Sequence, residues 1–300
     1  MKILVIGAGS IGRRHSLNAA ALGEAAVIDL DKEKANNIAE EAGISFFSTM
    51  EEARNWKPDG IIIATPNNTH VDIASEVIEW GATLLIEKPI SHSVEKIEHL
   101  LNKSENLGVD IYVVTNMRFH PAVIALKSNL SEIGKSLFAR AHYGNFLPNM
   151  RPGIDYRKLY AANRNQGGGV ILDAVHEIDY LYWLFGPGVE VTASADKLSE
   201  LDIDVEDYAS MVITHKNGIR SEIHLDYLRQ FKRRGCEIVG TKGTLIWQSE
   251  GKQPEQCMVK IFHSDSQEWE ILFETHDLDN TSPYLTLMKQ FTSAIQGKEH

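Results

Sequence analysis

The sequence predicts an α/β protein: a parallel sheet covered on both faces, followed by an α+β domain built on an open, mostly antiparallel sheet. Short, continuously apolar runs alternate with helical patterns through the first third, and alternating apolar and polar runs fill most of the remainder. A glycine-rich turn joins the first apolar run to the first helical pattern. We place the division at residue 120, giving domains over 1–120 and 121–300.

In the first domain the runs are ILVIG, AAVID, GIIIAT, TLLIE and DIYVVT, with helices from about Ile11 and across Lys32 to Ala42. Their brevity and lack of alternation suit strands buried on both sides. From about Ser136 the texture changes to SLFARAHYG, EVTASADKL, YASMVITH, IRSEIHLDYL, CEIVGT, TLIWQS, CMVKIFH and EWEILFE. Lys216-Asn217-Gly218 supplies a hairpin turn. One helix, Gly169 to about Phe185, interrupts these strands, and another starts near Pro283 with Leu285, Met288, Phe291 and Ile295 on one face.

Composition excludes several classes. A formal charge of -11 over 300 residues offers no basic face to nucleic acid, and Lys232-Arg233-Arg234 is too short a run to outweigh it. Cys236 and Cys257 are far apart and in no metal-like spacing, so they read as reduced core thiols, and no metal site is expected. The apolar part of MKILVIGAG is too short for a signal segment and no run of about 18 apolar residues occurs, so a cytoplasmic protein without a membrane partner is expected.

GAGSIG sets Gly7, Gly9 and Gly12 in G-x-G-x-x-G spacing between a strand and a helix, with Ser10 and Ile11 at the helix start. Gly7 permits the tight turn, Gly9 the approach of a pyrophosphate, and Gly12 close helix–strand packing; the helix N-terminus offers free N–H groups to the phosphates. The second strand ends at Asp29, where a carboxylate can accept ribose hydroxyls. This is the pattern of a Rossmann dinucleotide site. Leu30 follows in place of a residue suited to a 2′-phosphate, so NAD is preferred to NADP, although Arg13 or Arg14 could reach such a phosphate. Thr65, Pro66 and Asn67 end the third strand and line the cofactor with His70, which reads equally as a helix-start residue.

Five segments in order, GAGSIGRRH, ATPNNTH, EKP at Glu87 to Pro89, NMRFHP at Asn116 to Pro121 and GGGVILDAVHEIDYLYWLFG, make the chain resemble the glucose-fructose oxidoreductase, inositol dehydrogenase and rhizopine-catabolism (Gfo/Idh/MocA) family. The resemblance implies an oxidoreductase acting on a sugar, polyol or nucleotide-sugar hydroxyl. It also implies a carbohydrate substrate and a homodimer or homotetramer formed through the open sheet. Carried over by position, the residues acting on the hydroxyl are Lys88 and His176, with Asp173 as the nearby carboxylate and Glu87 on the cofactor side. Many members space the aspartate and histidine as D-x-x-x-H, whereas LDAVHEID is D-x-x-H, so His176 carries over more securely than Asp173. Members usually continue past the last helix into a segment that packs back toward the first domain; here the sequence reads AIQGKEH at its end.

Read from the residues, Asp173, His176 and Asp179 are spaced by three and share a face on a continuous helix, which would bracket the imidazole with two carboxylates. Asp173, close behind Gly167-Gly168-Gly169, is also placed to cap that helix. Lys88 at the end of a sheet strand can stabilise a developing alkoxide as an ammonium while His176 takes the proton. Substrate contacts are expected from Asn116, Arg118 and His120 after the last parallel strand, and from Arg151, Tyr156 and Arg157 in RPGIDYRKLY. The arginines of that loop hint at an anionic sugar or nucleotide sugar, and HYGNFLPNMRPGIDYR, together with LDAVHEIDYLYWLFG, looks most like members linked to surface-polysaccharide and sialic-acid-like sugars. A catalytically silent dinucleotide-binding sensor and an NAD-dependent glycoside-cleaving enzyme are the alternatives.

Overall fold

The computed structural model describes residues 1–251, 255–278 and 281–298. The chain forms two compact units: Met1–Thr115 together with the residues from Tyr284 onward, and Asn116–Pro283.

The first unit alternates strand and helix. Its strands are β1 (Lys2–Ile6), β2 (Glu24–Ile28), β3 (Ser45–Phe47), β4 (Gly60–Ile63), β5 (Thr83–Ile86) and β6 (Ile111–Val113); its helices are α1 (Ser10–Ala20), α2 (Lys32–Ala42), α3 (Met50–Asn55), α4 (His70–Val77) and α5 (Ile97–Leu107). All strand pairs are parallel, in the order β3-β2-β1-β4-β5-β6. Successive Ile61, Ile62 and Ile63 are fully buried, which is why this strand reads as a continuous apolar run: helices cover both faces. The strand β3 has no counterpart in the sequence reading, because it is a short edge strand with Ser45 and Phe46 exposed. Strand order reverses between β1 and β4, the place where such sheets bind ligands.

The second unit begins with α6 (Pro121–Ser128) and β7 (Ser136–Gly144), continues through α7 (Val170–Asp173) and α8 (His176–Phe185), and then adds β8 (Gly188–Asp196), β9 (Tyr208–His215), β10 (Arg220–Asp226), β11 (Arg233–Gly240), β12 (Gly243–Glu250), β13 (Glu255–His263) and β14 (Glu268–Leu278). The sheet order is β14-β13-β12-β11-β7-β10-β9-β8, antiparallel throughout except for the parallel pair of β7 and β10. Trp247, Tyr180 and Tyr227 are fully buried in the core between its inner face and the helices. Both cysteines are buried free thiols, and burial pushes Cys236 up to about 12. Among the described residues no helix is long and apolar enough to cross a membrane.

Two expectations are corrected here. The helix from Gly169 to Phe185 is interrupted: α7 ends at Asp173, Ala174 leaves helical geometry at φ -97 and ψ 29, and α8 restarts at His176. The last helix, α9 (Thr281–Ile295), was expected with the second domain, yet from Tyr284 onward it packs with the first unit. Gly60 makes this fit, because a Cβ there would meet Ile295 at 2.5 Å and Phe291 at 3.0 Å. Phe291 also meets the edge of Tyr112, and Tyr284 the ring of His15.

Candidate active site

The three glycines of the first loop meet different surroundings. A Cβ on Gly7, at φ +109, would lie 2.5 Å from the Ala64 carbonyl oxygen, and one on Gly12 would lie 1.9 Å from the Gly7 carbonyl oxygen. Both are required by the protein's own packing. A Cβ on Gly9 would meet nothing within 4 Å, so the fold itself leaves that approach open, at the N-terminus of α1 where a pyrophosphate fits. One oxygen of Asp29 accepts from the Ala8 N–H at 2.5 Å and the other from the Asp31 N–H at 2.8 Å, so this carboxylate holds the two loops together at the expected ribose position.

The two arginines that could serve a 2′-phosphate are both engaged. Arg13 makes a bidentate pair with Glu41, one bond being 2.6 Å, and the guanidinium of Arg14 lies 4.7 Å from the Tyr284 ring centre. A cavity between α1 and α2 is lined by Gly9, Ser10 and Arg13 on one side and Lys34, Asn37 and Glu41 on the other. Lys34 in turn sits 2.9 Å from Asp31. These pairs occupy Arg13 and Lys34 beside a fully exposed Leu30, in keeping with an NAD site.

The strands β1, β4 and β5 are consecutive in the sheet, so the glycine loop, the Thr65 loop and the Lys88 segment leave one edge about 5 Å apart from strand to strand. Thr65 accepts from the Thr69 hydroxyl at 2.8 Å, and Pro66 and the buried Asn67 continue that loop. His70 is fully buried with its ring nitrogens 2.9 Å from the Thr65 and Pro89 carbonyl oxygens. Glu87 is also buried; its carboxylate meets His15 Nε2 at 2.7 Å and accepts the Lys88 backbone N–H at 3.0 Å. The Lys88–Pro89 peptide is cis.

In the second unit His176 opens α8 and is 8% exposed. The expectation that Asp173, His176 and Asp179 share a helix face does not hold, because the break removes Asp173 from the register of α8. Asp173 instead accepts from the Tyr160 hydroxyl, and Asp179 takes a bidentate pair from Arg118 at 3.0 and 2.6 Å. Among the substrate candidates, Arg157 is tied to Asp155 through its Nε at 2.9 Å and the Tyr156 hydroxyl accepts from the Asp202 N–H at 3.1 Å. Asn116 is buried, and its Oδ1 has no hydrogen-bond partner among the described residues. His120 caps α6 by accepting the Ala122 N–H at Nδ1, and burial holds its pKa down to about 4.

Sequence reasoning missed His15, although it closes GAGSIGRRH, and a polar residue on the buried face of a helix was the available signal. It also missed the buried pair of Glu177 and Arg234, 2.8 Å apart, whose partners lie on different elements with no local pattern joining them. Among the described residues no group of three or more His, Cys, Asp or Glu is arranged to hold a metal ion.

A parallel sheet with an open glycine cradle, an aspartate ending β2 and a lysine at the same sheet edge defines a dinucleotide-binding oxidoreductase. The family model "Oxidoreductase family, NAD-binding Rossmann fold" matches residues 1–115, and "GFO/IDH/MocA C-terminal domain" matches residues 123–246. The chain belongs to the Gfo/Idh/MocA oxidoreductase family, and its first unit is that family's NAD-binding domain. It is 27% identical over 305 residues to 1,5-anhydro-D-fructose reductase of Ensifer adhaerens, covering 98% of this chain and 87% of that protein. It is 25% identical to inositol 2-dehydrogenase of Rubrobacter xylanophilus, over 80% of this chain and 69% of that one. A levoglucosan dehydrogenase solved with NADH and levoglucosan shares the fold at a TM-score of 0.82 and 20% identity, covering 99% of this chain and 90% of that one.

Proposed function

We propose that this oxidoreductase transfers hydride between a secondary alcohol carbon of a sugar or polyol and NAD, with Lys88 and His176 handling the hydroxyl proton. The observation that carries this reading is the placement of Lys88 on the sheet edge that also bears the glycine cradle, two strands away. When bound, NAD supplies the hydride acceptor. The Lys88 ammonium donates to the substrate oxygen as it becomes an alkoxide, and His176 takes the departing proton; in the reverse direction the same groups return it. The relatives' names, a reductase of an anhydro sugar and a dehydrogenase of inositol, support the substrate class.

Arg118 and Arg157 each sit on a carboxylate of the same unit, which weighs toward an uncharged sugar or polyol, and the exposed Arg151 is the arginine of that loop that a carboxylated or phosphorylated compound would engage. We further propose a cytoplasmic homodimer or homotetramer joined through the open sheet.

The test is NADH formation with inositols, anhydro sugars, neutral aldoses, uronates and nucleotide sugars, in wild type, Lys88→Ala and His176→Ala. We expect turnover of a neutral compound and a kcat lower by about 100- to 10,000-fold in each variant, with the Kd for NAD changed less than about threefold. Tight NAD binding without turnover of any compound would instead mark a sensor, and glycoside release without net NADH a glycoside-cleaving enzyme.

A further inference from the structure

The residues on either side of Lys88 are each held by a fully buried histidine from another element. On one side, His15 of α1 meets the Glu87 carboxylate at 2.7 Å, and the same carboxylate accepts the Lys88 backbone N–H at 3.0 Å. On the other, His70 at the start of α4 meets the Pro89 carbonyl through Nδ1 and the Thr65 carbonyl through Nε2, both at 2.9 Å. A carboxylate only accepts, so His15 Nε2 carries the proton. The helix α1 begins in the glycine loop, and α4 follows the Thr65 loop. Lys88 is therefore tied to both loops that face the dinucleotide.

Burying a carboxylate and two imidazoles beside one lysine is a poor way to gain stability, since apolar residues of similar volume generally do as well or better. We infer that His15 and His70 are positioning residues for Lys88: they fix the backbone at residues 87 and 89 so that the amine is presented in register with the cofactor loops. The inference rests on the proposed role of Lys88 at the substrate hydroxyl. Neither histidine touches the reacting atoms in this scheme. A displacement of about 1 Å in a group acting on the transition state lowers its effect by about 100-fold, which is the scale such a clamp protects.

Four variants separate this from plain structural support. His15→Leu removes the donor to Glu87, whereas His15→Gln keeps one near the place of Nε2. His70→Gln can place a donor only toward Thr65, at the position of Nε2, whereas His70→Asn can place one only toward Pro89, at that of Nδ1. With the neutral compound turned over fastest in the panel above, kcat should fall about 10- to 100-fold in His15→Leu and His70→Gln, while the Tm stays near wild type in both and the KM for NAD stays near wild type in His15→Leu. His15→Gln and His70→Asn should recover most of the loss. In a Lys88→Ala background the same substitutions should change the residual rate by less than about twofold, because the group they position is gone.

A second readout needs no cofactor: the rate at which trinitrobenzenesulfonate labels Lys88, read by mass spectrometry, should change in His15→Leu and His70→Gln and return in the conservative variants. An undiminished further loss in the Lys88→Ala background, or identical labelling in all four variants, would overturn the inference. If His15→Leu does not fold, the His70 pair carries the test alone. Wild-type kcat in Lys88→Ala itself would be a different failure, that of the role assigned to Lys88.

Discussion

Gly9 and Gly12 sit three residues apart and should respond to alanine in opposite ways. The Cβ of Gly12→Ala has no room beside the Gly7 carbonyl, so this variant should lose stability by several degrees or fail to fold. The Cβ of Gly9→Ala meets open space, so the Tm should hold while NAD affinity falls about tenfold or more; thermal melts and NADH fluorescence titrations check both. Cofactor choice belongs to the same scale. Glu41→Ala frees the Arg13 guanidinium, which should raise the ratio of kcat/KM for NADP over NAD by about three- to tenfold. An unchanged ratio would show that the pair with Glu41 plays no part in discrimination.

Helix α6 carries a pH dependence in its cap. His120 accepts the Ala122 N–H through an unprotonated Nδ1 while its ring lies tilted against buried Trp247 with centres 5.2 Å apart, and burial lowers its pKa from 6.5 to about 4. Between those values the unfolded chain binds more protons than the folded one. The contribution is therefore complete above about pH 6.5 and is lost as pH falls toward 4, a span of about 3 kcal/mol at most. Chemical denaturation of wild type and His120→Asn across that interval checks it: asparagine can still cap α6 but does not titrate, so its profile should be flatter. At the same scale, the break between α7 and α8 sends Asp173 to Tyr160 and leaves Asp179 to Arg118.

At the scale of the whole molecule, the open sheet of the second unit exposes apolar residues near both of its edges. The edge strand β8 is exposed along its whole length, and Val191 and Val212 on β8 and β9, with Trp269 and Ile271 on β14, are exposed apolar residues. Exposed sheet edges are places where another chain can pair. If the proposed oligomer forms here, Val212→Lys combined with Ile271→Lys should shift the protein to monomer in analytical ultracentrifugation with little change in Tm. A multimer that survives both substitutions places the interface elsewhere.

Much of this was legible before folding. GAGSIG, the aspartate ending β2 and the EKP segment are local patterns, and local patterns survive reading one residue at a time. The alternating runs likewise anticipated the strands of the second unit because one face of its sheet is buried. What escaped was held together by distant residues: His15 and Glu87 are 72 positions apart and Arg118 and Asp179 are 61 apart, so no window shows them as pairs. The three-residue β3 lacked an apolar run because it is an exposed edge. The spacing of Asp173 and His176 suggested one helix face, and only backbone geometry at Ala174 reveals that the helix stops and restarts.

The sequence by itself determined the two sheets, one parallel and one mostly antiparallel, the dinucleotide loop and the lysine at a strand end, because burial periodicity and glycine sterics are written into neighbouring residues. Tertiary structure alone decided which unit holds α9, which carboxylates the arginines occupy, and that two buried histidines grip the residues flanking Lys88. Those outcomes depend on which side chains meet across the fold, and spacing along the chain carries no record of that.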